Sequence, residues 1–335
     1  LPETQMAVMR HELDYYGLES AVFPQVPFSV DFAKFSPGSE MLSERGVFGA
    51  VGLPENRGVL VVGGHNGREY LASTEVFNLE AEIFSSGPSM RSRRGDCAAA
   101  VLEDGRIVVV GGSDGNILST TEVLDPSTNT WTPGPTMTSG RYGCAALALS
   151  NSRILVIGGG SSFDDPASTH STTEIFDLST GTSTPGPEMS CPRYYCSAAM
   201  LHDGRVIVIG GRNSTATSLS TTEVLDLVSG TSSPGPKMDI SRSGVSATLL
   251  PGKGGVLVIG GKGNDGTNLS TTEVLDVARD KTSVGPQLGI PRCYSAVVNL
   301  PGDQYLVLGG CSGAGSSSDL LCMPTEEGQQ QKRHP

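Results

Sequence analysis

The chain has 335 residues, 37% of them hydrophobic, with 44 glycines and 21 prolines, a balance that suits a turn-rich all-β protein better than a helical one. Its net charge of −12 argues against nucleic acid or an anionic membrane surface as partner. No stretch of eighteen apolar residues occurs that could cross a bilayer as a helix, so no membrane partnership is expected.

In chain order the first element is a helical leader over residues 1–20. Met6, Met9, Leu13 and Tyr16 recur at helical spacing, and Gly17 stops the run. The chain opens on Leu1 rather than Met and reads as a fragment or a processed product, which leaves a removed signal peptide open. "AKFSPGSEM" (33–41) follows, aligns with "TSSPGPKM" (231–238), and precedes Arg45 at the same interval that separates Met238 from Arg242.

From there the chain repeats itself. Glycine doublets fall at 63–64, 111–112, 158–159, 210–211, 260–261 and 309–310, a period of about fifty residues. Each unit predicts four short strands. Strand A starts at an arginine and is rich in small residues, as in "RYGCAALAL" (141–149). Strand B is an apolar run ending in the doublet, as in "RIVVVGG" (106–112), reached through a tight turn such as "EDGR" (103–106). Strand C is "LSTTEVLD" (118–125, 219–226, 269–276) or its variants "LASTEVFN" (71–78) and "HSTTEIFD" (170–177). Strand D ends in Gly-Pro-x-Met or a relative of it. Six such units describe a six-bladed β-propeller over residues 21–323, followed by a disordered tail at 324–335. The last unit lacks a D strand of its own, because Asp319-Leu-Leu stands where Glu-Val-Leu is expected and no Gly-Pro-x-Met segment follows it. Residues 33–41 are expected to supply that strand and close the ring.

The doublet, the acidic strand C and the x-Pro-x-Met ending resemble Kelch repeats over roughly residues 30–323. Leu124 with Trp131 and Phe77 with Phe84 keep the Kelch spacing between strands C and D, and Phe35 falls at the Trp position. Ser183, Ser232 and Thr282 stand where Trp belongs in blades three to five. "HELDYYGLE" (11–19) resembles the last helix of a BTB domain of the potassium-channel-tetramerisation kind. Together these resemblances imply a BTB–Kelch substrate adaptor for a cullin-type ubiquitin ligase, with most of the BTB part missing from this chain.

Seven cysteines do not form a disulfide framework. Cys97, Cys144 and Cys196 each lie three residues after an arginine, inside small apolar strands, as small core residues do. A reduced, cytoplasmic setting is expected, and the sequons at Asn213 and Asn268 read as chance. Cys191, Cys293 and Cys311 fall near the loop face, and no function is rested on them.

Because chain direction alternates, the B–C and D–A loops share one face of the ring, where variable loops on a rigid scaffold carry binding. What recurs in every blade reads as architecture and what differs reads as function. Arg45, Arg94, Arg141, Arg193, Arg242 and Arg292 recur in all six. They are either a basic ring for an acidic peptide or the partners of Glu75, Glu122, Glu174, Glu223, Glu273 and Asp319. Tyr142, Tyr194, Tyr195 and Tyr294 follow three of those arginines and are the candidate contacts to a protein partner, since tyrosine offers a large amphipathic face at low entropic cost. Phe163, Asp164 and Asp165 occupy the longest B–C loop. His65, Arg68, Glu69, Tyr70, Arg212, Asn213, Lys262 and Asp265 occupy others.

The reading is a protein-interaction scaffold, non-enzymatic and without cofactor or metal, that binds a protein or peptide, an acidic one where the arginines face it. Kelch propellers also include enzymes such as galactose oxidase. A metal-dependent oxidase or sugar-converting enzyme is therefore the alternative of another class, with His65 and His170 as its only histidines on this face. No nucleophile elbow, phosphate loop or HExxH supports it.

Overall fold

The structure, a computed structural model, describes residues 35–150, 152–250, 255–310 and 315–322. The helix expected over residues 1–20, the tail at 324–335 and Cys311 lie outside the described residues. Within them, six four-stranded antiparallel sheets follow one another, interrupted only by short 3-10 turns at Pro54–Asn56 and Pro166–Ser168.

Blade one runs A (Gly49–Gly52), B (Val59–Val62), C (Thr74–Asn78), D (Ile83–Ser86), each paired with the next. Blades two to five repeat that order. Blade six takes Ala296–Leu300, Gln304–Leu308 and Ser318–Cys322 from the far end of the chain and Ser36–Pro37 as its fourth strand. Ser36 pairs with Leu320 and Pro37 with Asp319, so the expected closing strand is present. Neighbouring A strands touch one another all the way round, including blade one with blade six. Strand A therefore lines the axis and strand D forms the outer rim.

Composition explains the layering. Six A strands crowd the axis, so they carry small residues such as Ala98-Ala-Ala-Val. The B strands, buried on both faces, are runs of Val, Ile and Leu, with Arg153, Gly255 and Gln304-Tyr305 at the start of those in blades three, five and six. Between adjacent blades lies one apolar cluster each. Val110, Val123 and Met137 of blade two, for example, meet Cys144, Val156 and Phe176 of blade three. The three expected core cysteines, Cys97, Cys144 and Cys196, are all buried there as free thiols.

The repeated strand C is accounted for residue by residue. In blade two the Thr120 carbonyl and Oγ1 accept hydrogen bonds from Arg94 at 2.8 and 2.9 Å. Thr121 Oγ1 donates to the Pro135 carbonyl at 2.6 Å, and Glu122 pairs with Arg94. Val123 and Leu124 enter the two inter-blade cores on either side. Asp125 Oδ1 then accepts the Ser127 N–H at 2.8 Å and closes the C–D turn. Every polar group of the octapeptide that is buried has a partner, which is the condition for placing it inside.

Two boundaries differ from expectation. Strand A begins four residues after each arginine rather than at it, as with Ala98 after Arg94 and Ser246 after Arg242. The reason is that the second residue after the arginine takes a left-handed conformation in all six blades, which breaks the extended chain. Strand D ends at the residue before the glycine of Gly-Pro-x-Met or its variant, and that glycine N–H bonds back to strand C, as Gly134 does to the Thr121 carbonyl at 3.0 Å. Where Trp is replaced, hydrogen bonds take over. Trp131 Nε1 donates to the Pro88 carbonyl at 2.8 Å, whereas Ser232 Oγ donates to Glu223 at 2.8 Å and Thr282 Oγ1 to the Lys237 carbonyl at 2.8 Å.

Candidate functional site

The B–C and D–A loops meet on one face, joined within blades by backbone bridges such as Gly46 with His65, Tyr142 with Gly160, Tyr194 with Arg212 and Ser243 with Lys262. Below that face lie the six arginines. All are 0–1% exposed. Their acid partners stand at 2.6 Å (Arg45–Glu75), 3.1 Å (Arg94–Glu122), 2.9 Å (Arg141–Glu174, Arg193–Glu223, Arg242–Glu273) and 2.8 Å (Arg292–Asp319). Each guanidinium also donates to the first carbonyl of a glycine doublet, as Arg141 does to Gly158 at 2.7 Å. A partner on the face cannot touch them, so of the two readings of these arginines the ion-paired one holds and the open basic ring does not. The acidic-partner expectation rested on those charges and loses its carrier.

The second residue after each arginine forms the inner rim of the channel: Val47, Asp96, Gly143, Tyr195, Gly244 and Tyr294, with φ between 53° and 59°. Backbone hydrogen bonds run from blade to blade around this rim. The Asp96 N–H donates to the Val47 carbonyl (2.6 Å), Gly143 to Asp96 (2.9 Å), Tyr195 to Gly143 (2.7 Å), Gly244 to Tyr195 (2.9 Å) and Tyr294 to Gly244 (2.7 Å). The odd-numbered blades carry Val, Gly and Gly, the even-numbered ones Asp, Tyr and Tyr. A Cβ on Gly143 would stand 2.7 Å from the Tyr195 ring and one on Gly244 2.6 Å from the Tyr294 ring, so these two glycines make the room that the tyrosines fill.

The side chains of alternate blades consequently reach one another across the axis. The Tyr195 hydroxyl hydrogen-bonds the Asp96 carboxylate, and its ring lies 4.7 Å from that of Tyr294. Tyr142 packs 5.7 Å from Tyr195 and 5.6 Å from Tyr194, and it carries Phe163 of the long B–C loop at 4.4 Å. All four candidate tyrosines thus form one aromatic chain, but they differ in access. Tyr142 and Tyr194 are buried, whereas Tyr195 and Tyr294 are partly exposed and Phe163 is 46% exposed. Tyr195 is held well above the usual phenol range by burial and by the neighbouring Asp96, and Tyr142 is pushed up to about 12 by burial.

Asp96 is the residue that sequence reasoning missed. Burial raises its carboxyl to about 6 against the opposing pull of the Tyr195 hydroxyl. Its Oδ1 is shut off from water and has no hydrogen-bond partner. Asp96 and Val47 also line a cleft of about 440 Å³ that opens between blades one, two and six, with His65, Tyr70 and Glu44 on its sides. The His65 and Tyr70 rings meet edge to face at 4.9 Å. The signal was present: the second residue after the arginine reads Val, Asp, Gly, Tyr, Gly, Tyr, a variable column in a repeat that is otherwise nearly copied.

The remaining candidates are separate from this centre. Asp165 caps a short turn by accepting the Ala167 N–H at 2.9 Å. His170 bonds Ser161 Oγ at 2.5 Å and is lowered to about 4 by burial and by the Arg141 charge. His65 and His170 stand in blades one and three. Among the described residues no three His, Cys, Asp or Glu side chains gather as a metal site needs. Cys191 is partly buried with its thiol raised by burial, and Cys293 is buried. No described helix is long and apolar enough to cross a membrane.

Comparison with known proteins gives one family: the Kelch motif matches residues 56–91, 93–138, 141–190 and 193–239, together more than half of the chain. No curated protein matches the chain at a significant level. Among solved structures, one titled "Structure of YjhT" superimposes with a TM-score of 0.71 at 14% identity, covering 86% of this chain and 97% of that one. At that identity the likeness shows the fold, and since 953 solved chains match, the fold alone selects no function.

Proposed function

The chain belongs to the Kelch-motif family, and from that premise we propose that it is a protein-binding scaffold whose partner sits on the B–C and D–A loop face. The observation that carries this reading is the continuous aromatic chain from Phe163 through Tyr142, Tyr194 and Tyr195 to Tyr294, which spans blades three, four and six. Amphipathic rings clustered near the centre of a face, with their neighbours already packed, are the composition of an interaction hot spot. Tyr142 and Tyr194 act as buried supports, and Phe163, Tyr195 and Tyr294 supply the surface.

The test is capture of partners from cell lysate with the wild-type chain and with Phe163→Ala/Tyr294→Ser, a pair chosen because neither residue is fully buried. A partner set lost from the variant at unchanged melting temperature supports the reading. Equal capture by both chains overturns it. A narrower form, presentation of a substrate to a cullin-type ligase, draws on the BTB resemblance of residues 11–19 and would show as cullin recovery in the same experiment.

A further inference from the structure

We propose that the cleft beside Asp96 receives a basic side chain of the partner, a lysine ammonium or arginine guanidinium seated between the Asp96 carboxylate and the ring of Tyr70. This rests on the protein-binding reading and assigns the chemistry of its central contact.

Four observations converge. First, Asp96 lines the cleft, the Tyr195 hydroxyl stands against its carboxyl, and its Oδ1 is buried without a donor. A buried carboxylate oxygen left unpaired carries the full cost of its lost hydration, and such a group in a native fold calls for a missing partner. Second, the arginine that lines the cleft commits both terminal nitrogens elsewhere, and only its Nε is buried without an acceptor. Arg45, the arginine lining the same cleft, is bound to Glu75 at 2.6 Å and to the Gly63 and Ser73 carbonyls. Of the other cations of this face, Arg212 and Lys262 stand in blades four and five, Arg93 pairs with Glu69, and Arg68, on the blade-one loop, does not line the cleft. Third, Glu44 adds a second acid to the lining, and the chain as a whole carries a charge of −12. Fourth, the walls include aromatic rings, whose faces attract a cation through their quadrupole, and the volume of about 440 Å³ exceeds that of one long side chain.

The backbone is built to keep Asp96 there. Its left-handed conformation (φ 53°) is fixed by the rim hydrogen bonds to Val47 and Gly143, and Gly143 leaves the space through which the Tyr195 hydroxyl reaches the carboxylate. A non-glycine residue held in that conformation persists only where its surroundings over-determine it.

Calorimetric titration with Nα-acetyl-arginine methylamide and Nα-acetyl-lysine methylamide tests the assignment, with the citrulline and norleucine counterparts as neutral probes of the same shape. A charged probe is expected to bind at least ~10-fold more tightly than its neutral counterpart, the size of one charge-assisted hydrogen bond, and Asp96→Asn is expected to abolish that preference. Val47→Phe, which fills the cleft and leaves the carboxylate intact, is expected to weaken both charged probes and serves if Asp96→Asn does not fold. Equal binding of charged and neutral probes, undiminished preference in Asp96→Asn, or no binding of either charged probe overturns the assignment. Loss of partner capture in Phe163→Ala/Tyr294→Ser would still stand after such a result, so the broader reading and this one fail separately.

Discussion

Glu122 holds Arg94 at 3.1 Å and, with the same carboxylate, accepts the backbone N–H groups of Arg91 and Ser92 at 2.7 and 3.0 Å. Arg91 and Ser92 belong to the segment leaving blade one, and Glu122 belongs to blade two. One carboxylate therefore joins the end of a blade to the next blade's arginine and strand C. Glu75, Glu223 and Glu273 do the same, each accepting two backbone N–H groups of the incoming segment. The joint is electrostatic at its core and apolar around it.

Removing one member of such a joint leaves an uncompensated buried charge. Glu122→Ala is expected to destabilise the ring by ~3–5 kcal/mol. Glu69→Ala breaks an ion pair of 2.5 Å with Arg93, but both side chains are more than half exposed, and there the loss is expected below ~1 kcal/mol. Urea unfolding of the two variants compares them directly. Similar midpoints would mean that the buried carboxylates do not hold the blades together.

The ring itself was legible because duplication prints the same solution several times. The glycine doublets, the acid of strand C and the arginine before strand A each have one structural job, and a job repeated in every blade is visible as a period. The missing fourth strand of blade six was legible for the same reason, since Ser36 and Pro37 share a pattern with Pro234 and its neighbours. Burial of the arginines was only half legible. Matching six acids to six bases left the pairs and the open ring both standing, and only the depth of the side chains decides between them. Asp96 was not seen, because its meaning depends on Tyr195 in a blade two steps away. Contacts across the axis link residues about a hundred positions apart, with no spacing rule to announce them. Nor does the order of Tyr142 and Tyr195 along the chain reveal that one is buried and the other reaches the surface.

The closing strand carries its own prediction. Met41 follows the Ser36–Pro37 strand and is buried at 4% exposure among Phe48, Val59, Phe77 and Leu306, the place that Met137 holds between blades two and three. The Met41 N–H also donates to the Ser316 carbonyl at 2.7 Å, and the Gly38 N–H to that of Ser318 at 3.0 Å. If this joint is as tight as the interior ones, Met41→Ala and Met137→Ala both lose ~2–5 kcal/mol, the usual range for emptying a buried methionine site. Chemical denaturation measures both. A loss well under ~1 kcal/mol for Met41→Ala alone would mean that the chain's beginning is held loosely against its end.

The last prediction concerns pH and follows from two groups whose shifts have opposite signs. Burial raises the Asp96 carboxyl to about 6, so the folded state keeps a proton there that the unfolded chain, titrating near 3.8, has released. Between those values the native state binds more protons, and stability falls as pH rises through the window and stays lower above it. His170 is lowered to about 4 from 6.5, so in its window the unfolded chain binds more protons, and stability falls as pH drops from 6.5 towards 4. The two contributions oppose each other, which flattens the wild-type profile on the acid side. Asp96→Asn mimics the protonated acid at every pH and removes one of them. The variant is expected to be more stable than wild type above about pH 6, by at most ~3 kcal/mol, and to converge on it near pH 4. His170→Asn is expected to shift the profile the other way, keeping the Asp96 slope alone. Thermal melts of the three chains across that range decide the matter. Parallel wild-type and Asp96→Asn profiles would mean that Asp96 titrates as an ordinary surface carboxylate, and the case for an unpaired buried charge at the rim would go with it.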